Sequence, residues 1–245
     1  MARSSGAVNA DRRMRLWSLV VEHARGEPAT VEHVCAAAIS TTGVDCAAVA
    51  VPLAATPRET IYASDPVAAR LEELTMTLGE GPGTDAIAGS PALVADLSSA
   101  QSLARWPVFA PAAVEIGIRA TFAFPLRVGA IRLGVLTLYR AAAGYLGRER
   151  LADALLLADT ACALLLDAAT PHKPVVDRHG PQLTGPVHPE VHQATGMISV
   201  QLGVTAAVAL TRLRAYAYVQ DRRLGEVARD VVARRLRFDA DAASG

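Results

Sequence analysis

A dense group of proline and glycine residues divides the chain into two unequal parts. Within residues 170–187 the sequence places six of them: Pro171, Pro174, Gly180, Pro181, Gly185 and Pro186. Proline fixes φ and lacks an N–H donor, so this density favours a semi-extended linker over a helix or a strand. A chain of 245 residues divided here is predicted to hold a larger domain before the linker and a small one after it. The predicted parts are an N-terminal helix (1–28), a main domain (29–169), the linker (170–187), a C-terminal domain (188–238) and a disordered tail (239–245).

The main domain shows helix and strand patterns in an order typical of an α+β fold. Apolar residues at helical spacing predict helices over 12–25, 30–43, 66–78, 84–88, 107–116 and 147–169, with residues 1–10 loose. Alternating or continuous apolar runs predict strands over 44–53, 59–63, 92–96, 119–128 and 131–140. The last two strands meet at Gly129-Ala130, which indicates a hairpin. The predicted fold is an antiparallel sheet sandwiched by helices.

The C-terminal domain is predicted to contain three short helices. They cover about Pro189–Gln201, Thr205–Val219 and Arg223–Arg237. Gly203 suits the end of the first helix, and the Thr205 hydroxyl can cap the second. Apolar residues lie at spacings of three and four in the second and third helices, so their apolar stripes can meet in a small bundle.

The charge of the C-terminal domain differs from that of the whole chain. The chain has a formal net charge of zero, whereas residues 188–238 contain eight arginines against four acidic residues. Arg214 and Tyr218 are four residues apart and share a helix face, and Arg222 follows one turn later. Arginine and tyrosine suit phosphate contacts and base stacking, so this face fits single-stranded or looped RNA. The alternative is a solvated arginine face with no ligand.

The C-terminal domain resembles the ANTAR domain, the RNA-binding module of bacterial transcription antiterminators. The matching residues are Gln193, Ala194, Gly196, Ala209, Leu213, Arg214, Ala217, Leu224, Val227, Ala228, Val231 and Val232. Thr195 stands where the family usually has a lysine, and Val208 where an acidic residue is common. The resemblance implies that the domain holds RNA hairpins that exclude a terminator. The residues expected to contact RNA are Arg214, Tyr218, Arg222, Arg223 and Gly196.

The main domain resembles a GAF domain of the kind that precedes ANTAR domains. The ordered features are the Gly79-Glu80-Gly81-Pro82 turn, Trp106-Pro107, Gly117-x-Arg119-Ala120, Phe124-Pro125-Leu126 and Gly134-Val135-Leu136. The resemblance implies a sensor for an unknown small molecule or partner protein. The expected ligand pocket contains Gly81, Gly83, Asp85, Phe122 and Phe124. Gly83 stands where relatives often have a cysteine.

Several kinds of chemistry find no support in the sequence. Three widely spaced cysteines form no CxxC pair, and no histidine lies between residues 34 and 171, so neither a zinc site nor a haem is expected. Ser98, Ser99 and Ser102 are predicted to lie in a loop without a nearby histidine, and Glu72-Glu73 to face solvent. We therefore expect no enzyme activity, no cofactor and no metal. Without a signal-peptide pattern or a membrane span, a cytoplasmic location is expected.

Two other hypotheses remain open at this stage. The predicted helices Thr205–Val219 and Arg223–Arg237 can instead form a helix-turn-helix that binds duplex DNA, although their connection lacks a glycine. A GAF-type reductase is a weaker hypothesis, because the cysteines are not clustered. The apolar stripe of the predicted helix 147–169 is broader than one sheet face requires, which favours a homodimer through that helix.

Overall fold

The computed structural model describes residues 2–52, 58–169 and 189–239, with side chains except at residues 2–8 and 169. The predicted linker 170–187 and the predicted tail beyond Asp239 lie outside the described residues. In chain order the elements are α1 (Ala2–Ala24), α2 (Val31–Thr42), β1 (Cys46–Val51), β2 (Glu59–Ala63), α3 (Pro66–Leu78), α4 (Pro82–Ala88), β3 (Ala92–Val94), α5 (Ala100–Arg105), α6 (Phe109–Glu115), β4 (Ala120–Val128), β5 (Ile131–Arg140), α7 (Arg148–Ala169), α8 (Pro189–Leu202), α9 (Ala206–Val219) and α10 (Leu224–Val232). We call α2 to α7 the sheet domain and α8 to α10 the C-terminal bundle.

The five strands form one antiparallel sheet with the order β2-β1-β5-β4-β3. β4 and β5 form the predicted hairpin, and the residues opposite each other include Phe122 with Leu138 and Thr121 with Tyr139. The turn between them contains Gly129 at φ +58°, a conformation that glycine adopts at low cost. The two long central strands therefore set the register of the sheet.

Each face of the sheet carries its own apolar core. Phe122, Phe124 and Leu138 point to one face and pack in a cluster with α2 and α7 residues. Cys46, Ala48 and Tyr139 alternate to the other face, where Leu71 of α3 and Phe109 of α6 cover them. The α+β fold with an antiparallel sheet between helices is confirmed.

Helix α1 packs against α7 and is longer than its sequence pattern predicts. The described backbone is helical from Ala2, whereas the apolar spacing predicted a helix only over 12–25 with a loose start. The side chains of Arg12 and Arg15 both reach the carboxylate of Asp153, at 3.1 and 2.9 Å. These ion pairs, together with buried Leu16 and Val20, hold α1 on the sheet domain.

Some boundaries differ from the predicted ones. Ser98 and Ser99 lie in the predicted loop, whereas Ser102 lies in α5, which the Ser99 side chain caps by accepting a hydrogen bond from Ser102 N. The predicted helix 107–116 begins only at Phe109, and α10 ends at Val232 rather than at Arg237. Past that end, Arg234 takes a left-handed φ of +58°, so the last arginines do not extend the helix.

Helix α3 has well-formed ends, and its bounds match the predicted range 66–78. The Asp65 carboxylate accepts a hydrogen bond of 2.7 Å from Ala68 N, and Pro66 occupies the first helical turn. Gly79 ends the helix at φ +71°, and its N–H donates to Thr75 O. The C-terminal end of α3 is therefore fixed in place, which matters for the contact described next.

The C-terminal bundle has a core of its own, and α3 of the sheet domain packs against it. Its core consists of one apolar stripe from each helix, with Val191, Ala194 and Ile198 from α8 and the rest from α9 and α10: Ala209, Leu210, Leu213, Ala217, Leu224, Val227, Ala228 and Val231. Met76 of α3 is 3% exposed and belongs to the same cluster. The two domains thus share an apolar contact through Met76.

Polar contacts between described residues of the two domains accompany Met76. His192 Nε2 lies 3.4 Å from Glu59 Oε2, and Arg223 Nε lies 3.7 Å from Glu73 Oε2.

Among the described residues no single helix has the length and apolar character needed to cross a membrane. Helices α8 and α9 meet that test only as a pair, and they are bent by 107°.

Candidate nucleic-acid interface

Helix α9 buries one apolar stripe in the bundle, and its other side chains lie outside the core. Thr205 caps the helix by accepting a hydrogen bond from Val208 N. Leu210, Leu213 and Ala217 then point into the bundle. With 100° between successive residues, Arg214 and Tyr218 fall beside this stripe on one face, as predicted. Tyr218 is 57% exposed and available to a stacking partner.

The turn after α9 places two arginines beside Tyr218. Asp221 takes a left-handed φ of +48°, and Arg222 N donates to Ala217 O at 2.9 Å. Arg223 then stands at the N-cap of α10. Tyr218, Arg222 and Arg223 consequently line one cleft of about 450 Å³ together with α3 residues of the sheet domain.

Arg222 is held by a carboxylate on α10. Its Nη2 lies 2.7 Å from Asp230 Oδ2, and Asp230 also accepts a hydrogen bond of 2.8 Å from Arg235 Nε. The hydrogen bonds from Arg222 and Arg235 hold the pKa of the Asp230 carboxyl below its ordinary value. Fixing the planar guanidinium in this way reduces the entropy lost when it binds a ligand.

Arg214 lies against the end of α3 rather than in solvent. A Cβ built on Gly79 would be 2.8 Å from Arg214 Nη1, so the guanidinium packs on the Gly79 backbone. Within the described part of the chain, Arg214 Nε has no hydrogen-bond partner. Burial lowers the pKa of the Arg214 guanidinium. Arg214, one of the predicted RNA contacts, is thus partly covered by the sheet domain.

Gly196 lies apart from the other four predicted RNA contacts. It is exposed on α8 and lines a separate groove of about 570 Å³, beside Gln193, Gln201, Arg234 and Arg237. The structure therefore brings Arg214, Tyr218, Arg222 and Arg223 together at the α9–α10 junction, and it does not bring Gly196 to them.

The predicted ligand-pocket residues separate into two groups. Gly81 packs on the Phe109 ring, since a Cβ there would be 3.3 Å from ring carbons. A Cβ on Gly83 would be 2.2 Å from Arg58 Nη1, so α4 crosses that guanidinium only because the position is glycine. Asp85 accepts hydrogen bonds from Arg105 and from Trp106 Nε1 and lines an open cavity of about 730 Å³.

Phe122 and Phe124 belong to the other face of the sheet. Both are buried in the cluster with α2 and α7, whereas Gly81 contacts the α6 side. Because side chains alternate along a strand, the residues of β4 that face α4 are the neighbours of these two, such as Ala123. A pocket lined by all five predicted residues is not formed by the described residues, and the two phenylalanines are core residues.

A buried polar network that the sequence pattern missed lies between the sheet and α3. Glu72 is 1% exposed, so the expectation that it faces solvent is wrong. Its carboxylate accepts hydrogen bonds from Arg58 Nε at 3.1 Å, from Thr60 and from the Tyr139 hydroxyl at 2.6 Å. Burial raises the pKa of the Tyr139 hydroxyl well above its ordinary value. The network spans β2, β5 and α3, and no local sequence signal links its members.

No metal site emerges from the described residues. No group of three or more His, Cys, Asp or Glu side chains within 2–52, 58–169 and 189–239 is arranged to hold a metal ion. Cys35, Cys46 and Cys162 are buried free thiols. His188 lies outside the described residues.

Comparison with known families supports the assignment of the C-terminal bundle. Residues 187–232 match the sequence model of the ANTAR domain. The chain therefore carries an ANTAR domain, as its motifs predicted, and ANTAR domains are RNA-binding modules of antitermination regulators. No curated protein matches the chain.

Solved structures with a similar arrangement are remote in sequence. The GAF domain of a phosphoenolpyruvate-protein phosphotransferase from Coxiella burnetii is 15% identical, with 65% of this chain and 96% of that chain covered and a TM-score of 0.49. The GAF domain of cyanobacteriochrome TePixJ is 12% identical, with 56% and 87% covered and a TM-score of 0.41. SdiA from Escherichia coli is 14% identical, with 94% and 99% covered and a TM-score of 0.46.

Proposed function

We propose that this protein is a signal-responsive RNA-binding regulator that promotes transcription antitermination by holding RNA hairpins. The observation that carries the proposal is the exposed Tyr218 next to Arg222 and Arg223 at the α9–α10 junction of an ANTAR domain. An exposed aromatic ring beside two guanidinium groups, of which Asp230 holds that of Arg222, suits a looped base that stacks while its phosphates are neutralised. Arg214 completes the surface when it is accessible.

The sheet domain is the proposed sensor, and its role is regulatory rather than catalytic. The GAF-like motifs of the sequence support this role. The open cavity beside Asp85, Ser102 and Trp106 offers hydrogen-bonding groups to a small molecule or to a segment of a partner protein. The proposed location is the cytoplasm, where an antiterminator meets nascent RNA.

A homodimer is proposed through α7 and the helix packed on it. Leu155 and Leu166 of α7 are 44% and 38% exposed, although their helix packs on the sheet. Met14, Trp17 and Val21 of α1 are also exposed, at helical spacing. Leu155→Glu should lower the molar mass measured by light scattering, and Val128→Glu on the exposed hairpin is the control. A wild-type molar mass of one chain would contradict the dimer, and equal masses of two chains for all three proteins would contradict the α7 interface.

The RNA-binding proposal is tested with the full chain and a panel of labelled RNA hairpins, with duplex DNA as competitor. Affinity should fall with salt, and Arg223→Gln should reduce the slope of log affinity against log salt by about 0.7–0.9, the value for one phosphate contact. Arg229→Gln, an equal change of charge on another face of the bundle, is the control. Preference for duplex DNA over every hairpin would favour the helix-turn-helix alternative.

A further inference from the structure

The surface proposed to bind RNA is the surface on which α3 lies. Tyr218, Arg222 and Arg223 line a cleft whose other wall contains Glu73, Leu74 and Thr77 of α3. A second cleft of about 380 Å³ places Arg214 and Tyr218 opposite Thr77, Gly79 and Glu80. The four side chains therefore lie at the boundary between the bundle and α3, where Arg214 contacts α3, Arg222 is held by Asp230, and Tyr218 stays exposed.

The C-terminal end of α3 carries a negative potential that attracts cationic side chains. The last turn of a helix carries carbonyl groups without intrahelical partners and a partial negative charge. Arg214 packs on this end at Gly79, and Arg223 lies 3.7 Å from the Glu73 carboxylate. Arg214 and Arg223 are two of the side chains proposed to contact RNA phosphates, so α3 occupies part of that surface.

The apolar part of the contact between the domains is small, and His192 meets the buried Glu59 carboxylate beside it. Only one large apolar side chain of α3, Met76, joins the core of the C-terminal bundle. The nearest ion pair, Arg223–Glu73, is largely exposed on the arginine side and contributes little. A contact of this kind holds a closed state that RNA or a signal can displace.

We propose that the sheet domain inhibits the ANTAR domain in the closed protein by seating the C-terminal half of α3 on the Arg214–Tyr218–Arg223 surface. RNA binds when α3 withdraws, and a signal received by the sheet domain acts by shifting this equilibrium. The proposal rests on the proposed RNA-binding function. It goes further by naming α3 as the internal competitor of RNA.

The direct test measures whether RNA uncovers Met76. In Met76→Cys the new thiol is buried by the bundle, and the three native cysteines are buried as well. A maleimide should label it slowly in the free protein and about tenfold faster at saturating hairpin, since labelling reports the open fraction. An unchanged labelling rate in protein that is shown to be saturated with RNA would overturn the proposal.

A second test opens the contact from the side of the sheet domain. Glu73→Arg places a cation opposite Arg223 and should tighten hairpin binding about tenfold, because apparent affinity scales with the fraction in the open state. Glu32→Arg makes the same change of charge at an exposed position of α2, across the sheet from α3, and controls for general attraction of RNA. In Glu73→Arg/Arg214→Ala much of the gain should disappear, because the uncovered surface has lost a contact.

The outcomes separate this proposal from the proposed function. If the wild type binds hairpins and Glu73→Arg binds no better than Glu32→Arg, closure by α3 is wrong and RNA binding stands. If no hairpin binds the wild type or Glu73→Arg at any salt concentration, the RNA-binding function is wrong, and the proposed competition falls with it.

Discussion

Arg214 of the C-terminal bundle packs against the backbone of Gly79, which ends α3 of the sheet domain. The guanidinium occupies space that a side chain at position 79 would need, since a Cβ there would be 2.8 Å from Nη1. Gly79 therefore serves twice. Its φ of +71° ends α3, and the absence of a side chain lets Arg214 pack on the backbone of the sheet domain.

Gly79→Ala should loosen the contact between the domains at a modest cost in stability. Alanine at a left-handed φ costs about 1–2 kcal/mol, and the flexible guanidinium can move aside for the methyl group. Displacing Arg214 raises the open fraction, so hairpin affinity should increase about three- to tenfold. Urea unfolding and hairpin titration measure the two effects.

Gly203→Ala is the matched control for this prediction. Gly203 also follows a helix at a left-handed φ, +63°, and a Cβ there meets nothing within 4 Å. The two variants should lose similar stability, and only Gly79→Ala should bind RNA more tightly. Equal affinities would show that the contact between Arg214 and Gly79 has no influence on RNA binding.

Glu72→Gln should destabilise the sheet domain strongly. The substitution keeps the shape of the side chain but leaves the Arg58 charge uncompensated, and Arg58 is itself only 4% exposed. Removing one partner of a buried ion pair costs about 3–5 kcal/mol. Glu73→Gln, the adjacent position, alters only the weak pair with Arg223 and should cost less than about 1 kcal/mol. Similar urea midpoints for the two variants would contradict a structural role for the network.

The Asp96–Arg119 ion pair predicts a dependence of stability on acid pH. Hydrogen bonds from Arg119, at 2.9 and 3.1 Å, and from Ser98 lower the pKa of the Asp96 carboxyl from 3.8 to about 2. A carboxyl whose pKa is lower in the folded state stabilises the fold above the unfolded pKa. That stability is lost as the pH falls from about 4 toward 2.

Comparing the wild type with Asp96→Asn isolates this contribution. The pair is partly exposed, so the difference in free energy of unfolding at pH 7 should stay below about 1 kcal/mol. It should shrink as the pH approaches 2, because protonated Asp96 and asparagine are then both neutral. Urea midpoints at pH 7, 4, 3 and 2 measure it, and a constant difference would assign the effect to packing instead.

Helices and strands with strong apolar periodicity could be predicted from the sequence, because the interactions that determine them are local. Strand β5 and helix α3 have the predicted bounds, because alternation in one and a capped apolar stripe in the other act over a few residues. Apolar spacing and caps likewise predicted α8 and α9 closely, whereas α10 ends at Val232 instead of the predicted Arg237. Helix α5 was missed because a short serine-rich segment has no apolar stripe.

The features of the fold and site that could not be predicted depend on contacts between residues far apart in the chain. Glu72 is buried because Arg58 and Tyr139 meet it from two strands, which no spacing within α3 reveals. Alternation along β4 divides its side chains between two faces but does not say which face lies toward α4. Phe122 and Phe124 were therefore predicted as pocket residues, whereas they pack in the core with α2 and α7. The contact of Arg214 with Gly79 joins positions 135 residues apart in the chain, and a helical pattern cannot predict it.

Tyr218→Ala should weaken hairpin binding through the loss of one base stack. The ring is exposed and lies outside the apolar stripe of α9, so the change leaves the bundle core intact. Stacking of a base on an aromatic side chain contributes about 1–3 kcal/mol, which corresponds to a loss of affinity of roughly 5- to 150-fold. Tyr218→Phe keeps the ring and should bind nearly as the wild type does.

Two controls separate stacking from other effects of this change. Circular dichroism should show unchanged helix content for both variants, and the slope of log affinity against log salt should stay the same, because tyrosine releases no counterion. Glu190→Gln, on α8, should alter hairpin affinity little. If Tyr218→Ala binds as tightly as Tyr218→Phe, the α9–α10 junction is not the RNA surface. The groove beside Gly196, Arg234 and Arg237 is then the next candidate, since it is lined by two exposed arginines.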